Sequence, residues 1–148
     1  MRVFDNIETI VVGADGSSTA ARAVEAAAEL ARLTGGSLHI VTVLQTEQGP
    51  NRTATGGYTD PGHPADAVLA NLTEIATARG LEPVLHPSGG EPADALVKIA
   101  EDVDADLIVV GNKGMKEKGV RRVLGSIPNS VAHNAPCSVL IVDTISEE

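Results

Sequence analysis

Aromatic side chains are nearly missing from this chain: Phe4 and Tyr58 are the only two, and tryptophan is absent. That removes the stacking platforms on which single-stranded nucleic acids bind, and it leaves Ala, Val, Leu and Ile to build the core. Positive charge is also scarce, with 11 Lys and Arg against 20 Asp and Glu, for a formal charge of −9. Binders of nucleic acid or anionic membranes need surplus cations to neutralise phosphates, so neither partner is expected. Cys137 stands alone, so no intrachain disulfide can form. Its apolar neighbours, CSVLIV, suit a small core residue in a reducing compartment better than a reactive or intermolecular thiol. No run reaches the ~20 apolar residues of a membrane span. The opening MRVFDNIETIVV lacks the apolar stretch and cleavage site of a signal peptide, and a cytoplasmic location is expected. A length of 148 residues suits one well-buried core, so residues 1–148 are read as a single domain.

What the chain does contain is an alternation. Short apolar runs at Ile7–Val12, Leu38–Leu44, Asp106–Val110 and Ser138–Val142 are rich in β-branched residues and mostly not alternating. That is the pattern of parallel strands covered on both faces. A weaker candidate is Leu81–His86, between Gly80 and Pro87. Between these runs, Ser17–Leu33 carries Ala20, Ala23, Val24, Ala27, Leu30 and Ala31 on one helical stripe and stops at Gly35-Gly36. Ala65–Arg79, with Val68, Leu69, Leu72, Ile75 and Ala76, stops at Gly80. Pro92–Val103 has proline in its first turn and an inward face of Leu96, Val97, Ile99 and Ala100. Ser126–Asn134 is closed by Pro136. Strands and helices in this order imply right-handed crossovers and a doubly wound sheet with helices on both faces. The low-order stretch at 45–63, rich in Gly, Pro, Thr and Asn, reads either as a surface loop or as a lid.

In such a sheet, ligands bind beyond the carboxyl ends of the strands, and three features converge on that edge. One is Gly13-Ala14-Asp15-Gly16-Ser17 after the first strand, and another is the end of the second strand near Val43. The third is GNKGMKEKGVRRVLGS, residues 111–126, which holds Lys113, Lys116, Lys118, Arg121 and Arg122 on an otherwise acidic protein. Gly111 and Gly114 are expected to take positive φ angles and to admit a ligand closely. Gly125-Ser126 precedes the last helix, whose free N–H groups and dipole suit a phosphate. A solvated basic turn is the plainer alternative for this stretch. Asp15 reads as a ribose-orienting group, a water-mediated Mg²⁺ ligand or a simple turn carboxylate. Gly114-x4-Gly119 is followed by Val120-Arg121 instead of Lys-Ser/Thr, which rejects a P-loop, and no G-x-G-x-x-G occurs. His39, His63, His86 and His133 are scattered without metal-ligand spacing. No nucleophile elbow is visible, so no catalytic residue is assigned and slow nucleotide hydrolysis is the most that is expected.

These residues resemble a known family. G-N-K-G…L-G-S-I-P-N-S-V…A-P-C-S-V-L-I-V is similar to the ATP-binding loop and last strand of universal stress proteins, and IVVGADGSSTAARAVEAAAELA is similar to their opening strand and helix. The likeness spans essentially the whole chain. It implies an open five-stranded parallel α/β sheet, Rossmann-like and of the adenine nucleotide alpha hydrolase kind, in strand order 3-2-1-4-5. It also implies a homodimer, here through the last strand at 138–143, and a stress-response or signalling module that binds ATP or, in some members, cyclic AMP. Position by position, Ala14 and Asp15 fall near the ribose and Val43 meets adenine through its backbone. Gly111, Asn112, Gly114, Gly125, Ser126 and Ile127 cradle ribose and phosphates, with Lys113, Arg121 and Arg122 adding potential. Two departures stand out. Ten residues, not the family's nine, separate Gly114 from Gly125, and Gly13 occupies a position where proline is frequent.

Overall fold

Ile10, Val11 and Val12 are each completely buried. Side chains pointing to opposite faces of one strand therefore both find cover, as in the middle of a parallel sheet. That strand, β1 (Thr9–Ala14), is central in the computed structural model, which describes residues 6–14, 18–43, 64–112 and 125–144. The other strands are β2 (Ser37–Val43), β3 (Val84–Ser88), β4 (Leu107–Gly111) and β5 (Ser138–Val142). They pair in parallel in the order β3-β2-β1-β4-β5, as expected from the sequence. Helices α1 (Ser18–Thr34), α2 (Pro64–Thr77), α3 (Pro92–Asp102) and α4 (Ser126–Asn134) fill the connections.

The two faces of the sheet hold two cores. Ile10, Val12, Leu38, Ile40 and Val109 meet α1 and α2 through Ala23, Val24, Ala27, Ala28, Ala31, Leu72 and Ala76. On the other face, Val11, Val41, Val43, Ile108 and Val110 meet Ala93, Leu96 and Ala100 of α3 and Val131 of α4. The alanine stripe lets α1 lie close on the sheet, a compensation for the shortage of aromatic volume. The helix ends at Gly35, whose φ of 76° few other residues would take and whose N–H donates to the Ala31 carbonyl at 2.8 Å.

Asp106 fastens the other end of the central strands. Its Oδ2 accepts the backbone N–H groups of Glu8 at 2.9 Å and Thr9 at 3.0 Å, while its own N–H donates to the Thr9 carbonyl at 2.9 Å. The start of β1 is thus clamped to the start of β4.

Three elements differ from the sequence reading by two residues or more at a boundary. β1 runs two residues later than Ile7–Val12, and α2 gives way to a turn after Thr77, with Gly80 at φ 80°. β3 spans Val84–Ser88 instead of Leu81–His86, because an edge strand with exposed Val84 and Pro87 carries little apolar signal. β5 is also an edge. Its Leu140 and Ile141 are exposed, so it is not covered on both faces as its continuous apolar run suggested.

Candidate functional site

Parallel pairing brings the carboxyl ends of the strands to one side, and the winding reverses between β1 and β4. Ala14 ends β1, Val43 ends β2 and Gly111 ends β4, so these three expected site residues share that edge. Ala14 is paired with Thr42, and Gly111 with Val142. The Ala14 and Val43 side chains are buried in opposite cores, so what they offer at the edge is main chain.

The start of α4 is drawn to the same place by one backbone bond. Gly125 N–H donates to the Asn112 carbonyl at 3.1 Å, and Asn112 N–H donates to the Val142 carbonyl at 2.9 Å. Asn112 also spends its side chain on the strand's neighbours. Its Oδ1 accepts from the Thr144 N–H at 3.2 Å and the Thr144 hydroxyl at 3.1 Å, and its Nδ2 donates to Asp143 Oδ1 at 3.3 Å. Thr144 is fully buried. Asn112 therefore acts as a latch between the ends of β4 and β5.

Gly111 does not take a positive φ; among the described residues only Gly35, Gly80 and Gly90 do so among the glycines. Its requirement is proximity: a Cβ there would lie 3.0 Å from Thr144 Cγ2 and 3.3 Å from Thr144 Oγ1. The positive φ expected of Gly111 is thus not found, and the close neighbour among the described residues is the protein's own threonine.

The first turn of α4 carries no side-chain cap and no acidic residue. Pro128 has no N–H, and the Asn129 N–H is already bonded to the Gly125 carbonyl at 3.1 Å. Two amides remain, those of Ser126 and Ile127, and no described group accepts from them. They stand at the positive end of the helix dipole. The Ser126 side chain is exposed, whereas Ile127 packs partly against the α3–α4 core. Asp15, Lys113, Gly114, Arg121 and Arg122 lie outside the described residues, as does the 45–63 segment.

A further polar group at this edge escaped the sequence reading. Thr42, one residue before Val43, is 1% exposed, and its hydroxyl has no hydrogen-bond partner among the described residues. An unpaired buried hydroxyl is costly. Thr42→Val should raise folding stability by about 1 kcal/mol, seen as a higher urea midpoint at unchanged slope. A lower midpoint would show that the hydroxyl is paired after all.

The histidines are not all scattered. The parallel register sets His39 opposite Val84, and His86 lies two residues on, on the same face. His39 Nδ1 is 2.9 Å from His86 Nε2. Burial holds both rings below the usual histidine value of 6.5. At His39 the charge of His86 adds to the effect, whereas Asp102 draws His86 back up. The folded state thus takes up protons less readily than the unfolded chain. Stability from this pair is present above about pH 6.5 and is lost as pH falls below it. Urea midpoints should decline through that window in the native chain, and decline less in His39→Gln. Cys137 packs half-buried against the α3–α4 core, and burial, then the Asp106 charge, pushes its thiol up. It stays protonated, which suits a packing role over a nucleophilic one.

Comparison with known proteins adds the family. The model for the universal stress protein family matches residues 6–143. A universal stress protein of Mycobacterium tuberculosis is 37% identical over 144 residues, covering 93% of this chain and 97% of that protein. A crystal structure of a universal stress protein in complex with cyclic AMP superposes with a TM-score of 0.74 at 35% identity, covering 95% of this chain and 100% of the other. The Archaeoglobus fulgidus universal stress protein in complex with dAMP gives 0.65 at 28% identity, covering 90% and 96%. With its five-stranded order, its strand-end glycine and its last-helix turn in place, the chain belongs to the universal stress protein family.

Proposed function

We propose that this chain, acting as one domain over residues 1–148, binds an adenine nucleotide at the carboxyl edge of its sheet. The expected ligand is ATP, and occupancy serves as a stress or signalling input. One observation carries the reading: among the described residues nothing accepts from the Ser126 and Ile127 amides at the start of α4, beside the joined ends of β4 and β5. Amides so placed suit an anionic phosphate. Thr42, buried next to Val43, is a second polar group at this edge without a partner among the described residues.

In this reading the Val43 main chain meets adenine, and Ala14 and Asp15 approach the ribose. Gly111, Gly114, Gly125, Ser126 and Ile127 surround the phosphates. Lys113, Arg121 and Arg122 supply positive potential on a chain whose formal charge is −9. Asp15 would hold any Mg²⁺ through water. No nucleophile or general base is assigned, so the nucleotide is held rather than rapidly turned over. A second copy pairs through β5, where exposed Leu140 and Ile141 stand on an edge strand. A nucleic-acid partner does not fit the charge. No helix among the described residues is long and apolar enough to cross a membrane, and the proposed setting is cytoplasmic.

A cyclic-nucleotide reading has its own support. Pro128 leaves only two amides in the first turn of α4, and a solved relative at 35% identity holds cyclic AMP. Calorimetric titration with ATP, ADP, AMP and cyclic AMP separates the two. Heat with at least one adenine nucleotide is expected, and silence with all four overturns the proposal. Ser126→Ala should weaken binding by about 0.5–1.5 kcal/mol through loss of one hydroxyl bond.

A further inference from the structure

His39 and His86 are 47 residues apart in sequence, yet two of their ring nitrogens approach to 2.9 Å. The ring centroids are 5.1 Å apart and the planes differ by 26°. Those values describe two imidazoles meeting edge to edge, with the close nitrogens turned toward each other. Both side chains rise from one face of neighbouring strands, with His39 on β2 and His86 on the edge strand β3. An ion from solvent reaches them at the sheet margin without crossing either core, and both rings remain partly exposed.

Imidazole nitrogen is a preferred donor for copper, nickel and zinc. Two metal–nitrogen bonds of about 2.0–2.1 Å span about 2.9 Å at a right angle and about 3.4 Å at a tetrahedral one. The observed spacing is that of an N–H···N hydrogen bond. It equals the right-angle bite of tetragonal copper(II) and nickel(II), so the rings need to turn but their nitrogens need not separate to meet one ion. We propose that His39 Nδ1 and His86 Nε2 chelate a borderline divalent transition-metal ion, copper(II) foremost, with solvent completing the coordination.

The chemistry balances without a redox step. In the neutral pair one ring carries its proton on the facing nitrogen. On binding, that proton moves through solvent to the ring's outer nitrogen. Each facing nitrogen then gives one lone pair to the metal, as each ring turns about its Cβ–Cγ bond. Burial disfavours protonation of both rings, so both are available as neutral donors. Asp102, whose carboxylate acts on His86 while pairing with Lys98 at 3.3 Å, is a nearby negative charge that favours a cation. Among the described residues no group of three or more His, Cys, Asp or Glu could hold a metal. The site is therefore open and exchangeable rather than structural.

The test uses the full chain, free of nucleotide, with copper(II) chloride as the only metal. One equivalent should bind, and electron paramagnetic resonance at substoichiometric copper should show coupling to two imidazole nitrogens. His39→Gln and His86→Gln should each reduce affinity about tenfold or more and leave coupling to a single nitrogen. His133→Gln should bind as the native chain does. The proposal is overturned if the native chain binds no copper. It is equally overturned if the His39→Gln/His86→Gln double variant binds like the native chain, as a site on His63 or His133 would. If a variant fails to fold, the nitrogen count in the native protein decides, and fewer than two defeats the assignment.

Discussion

Replacing Asn112 by Ala should lower folding stability by about 3 kcal/mol, because two groups of a buried residue lose their acceptor together. Thr144 is 0% exposed, and both its N–H and its hydroxyl donate to Asn112 Oδ1, at 3.2 and 3.1 Å. Alanine supplies no acceptor in exchange. Urea unfolding measures the loss. Thr144→Val removes the hydroxyl donor from the other side, so the double variant should be little worse than Asn112→Ala alone. Simple additivity of the two effects would show that they are not partners. A second effect should accompany the first. Asn112 carries the carbonyl that binds Gly125 N–H, so loosening this residue should weaken nucleotide binding even though its side chain faces residues 143 and 144. An affinity equal to that of the native chain would separate the latch from the site.

The second large effect is expected at the opposite end of the strands. Asp106→Ala deprives the Glu8 and Thr9 amides of one shared carboxylate oxygen, bonded at 2.9 and 3.0 Å. Bonds to a charged group are among the stronger ones, and a loss of about 3 kcal/mol is expected. Asp106→Asn keeps an acceptor oxygen in place without the charge, so it should cost about 1 kcal/mol. Hydrogen exchange offers a local readout. The Glu8 and Thr9 amides should lose protection in Asp106→Ala and retain most of it in Asp106→Asn. Equal losses in both variants would mean that the charge matters and the acceptor geometry does not.

Asp106 also shows where sequence reading stops. It was legible as the first residue of an apolar run, but nothing local reveals that its carboxylate serves amides 98 and 97 positions away. The runs around Ile10, Ile40, Ile108 and Val139 were readable because a strand covered on one or both faces must be apolar in the chain itself. The strand order was likewise anticipated, through the family resemblance. β3 was placed early because its last residues, Pro87 and Ser88, carry no apolar signal of a strand. That misplacement hid the histidine pair, whose meeting depends on knowing which residue of β3 lies across from His39. Glycine spacing was enough to bring main-chain positions such as Gly111 and Gly125 to the carboxyl edge of the sheet. Thr42 and Thr144 were missed because their importance comes from burial, which a hydroxyl-bearing residue does not announce.

The bond from the Gly125 N–H to the Asn112 carbonyl, 3.1 Å long, ties together the two residues that flank positions 113–124. A span whose flanking residues are tied in this way tolerates changes in length. By polymer statistics, lengthening a segment of about a dozen residues by one adds less than about 0.1 kcal/mol to the entropy of closure. The ten residues between Gly114 and Gly125, one beyond the familiar nine, therefore weigh almost nothing on the fold. The length and charge of that span can change without loosening the tie at its base.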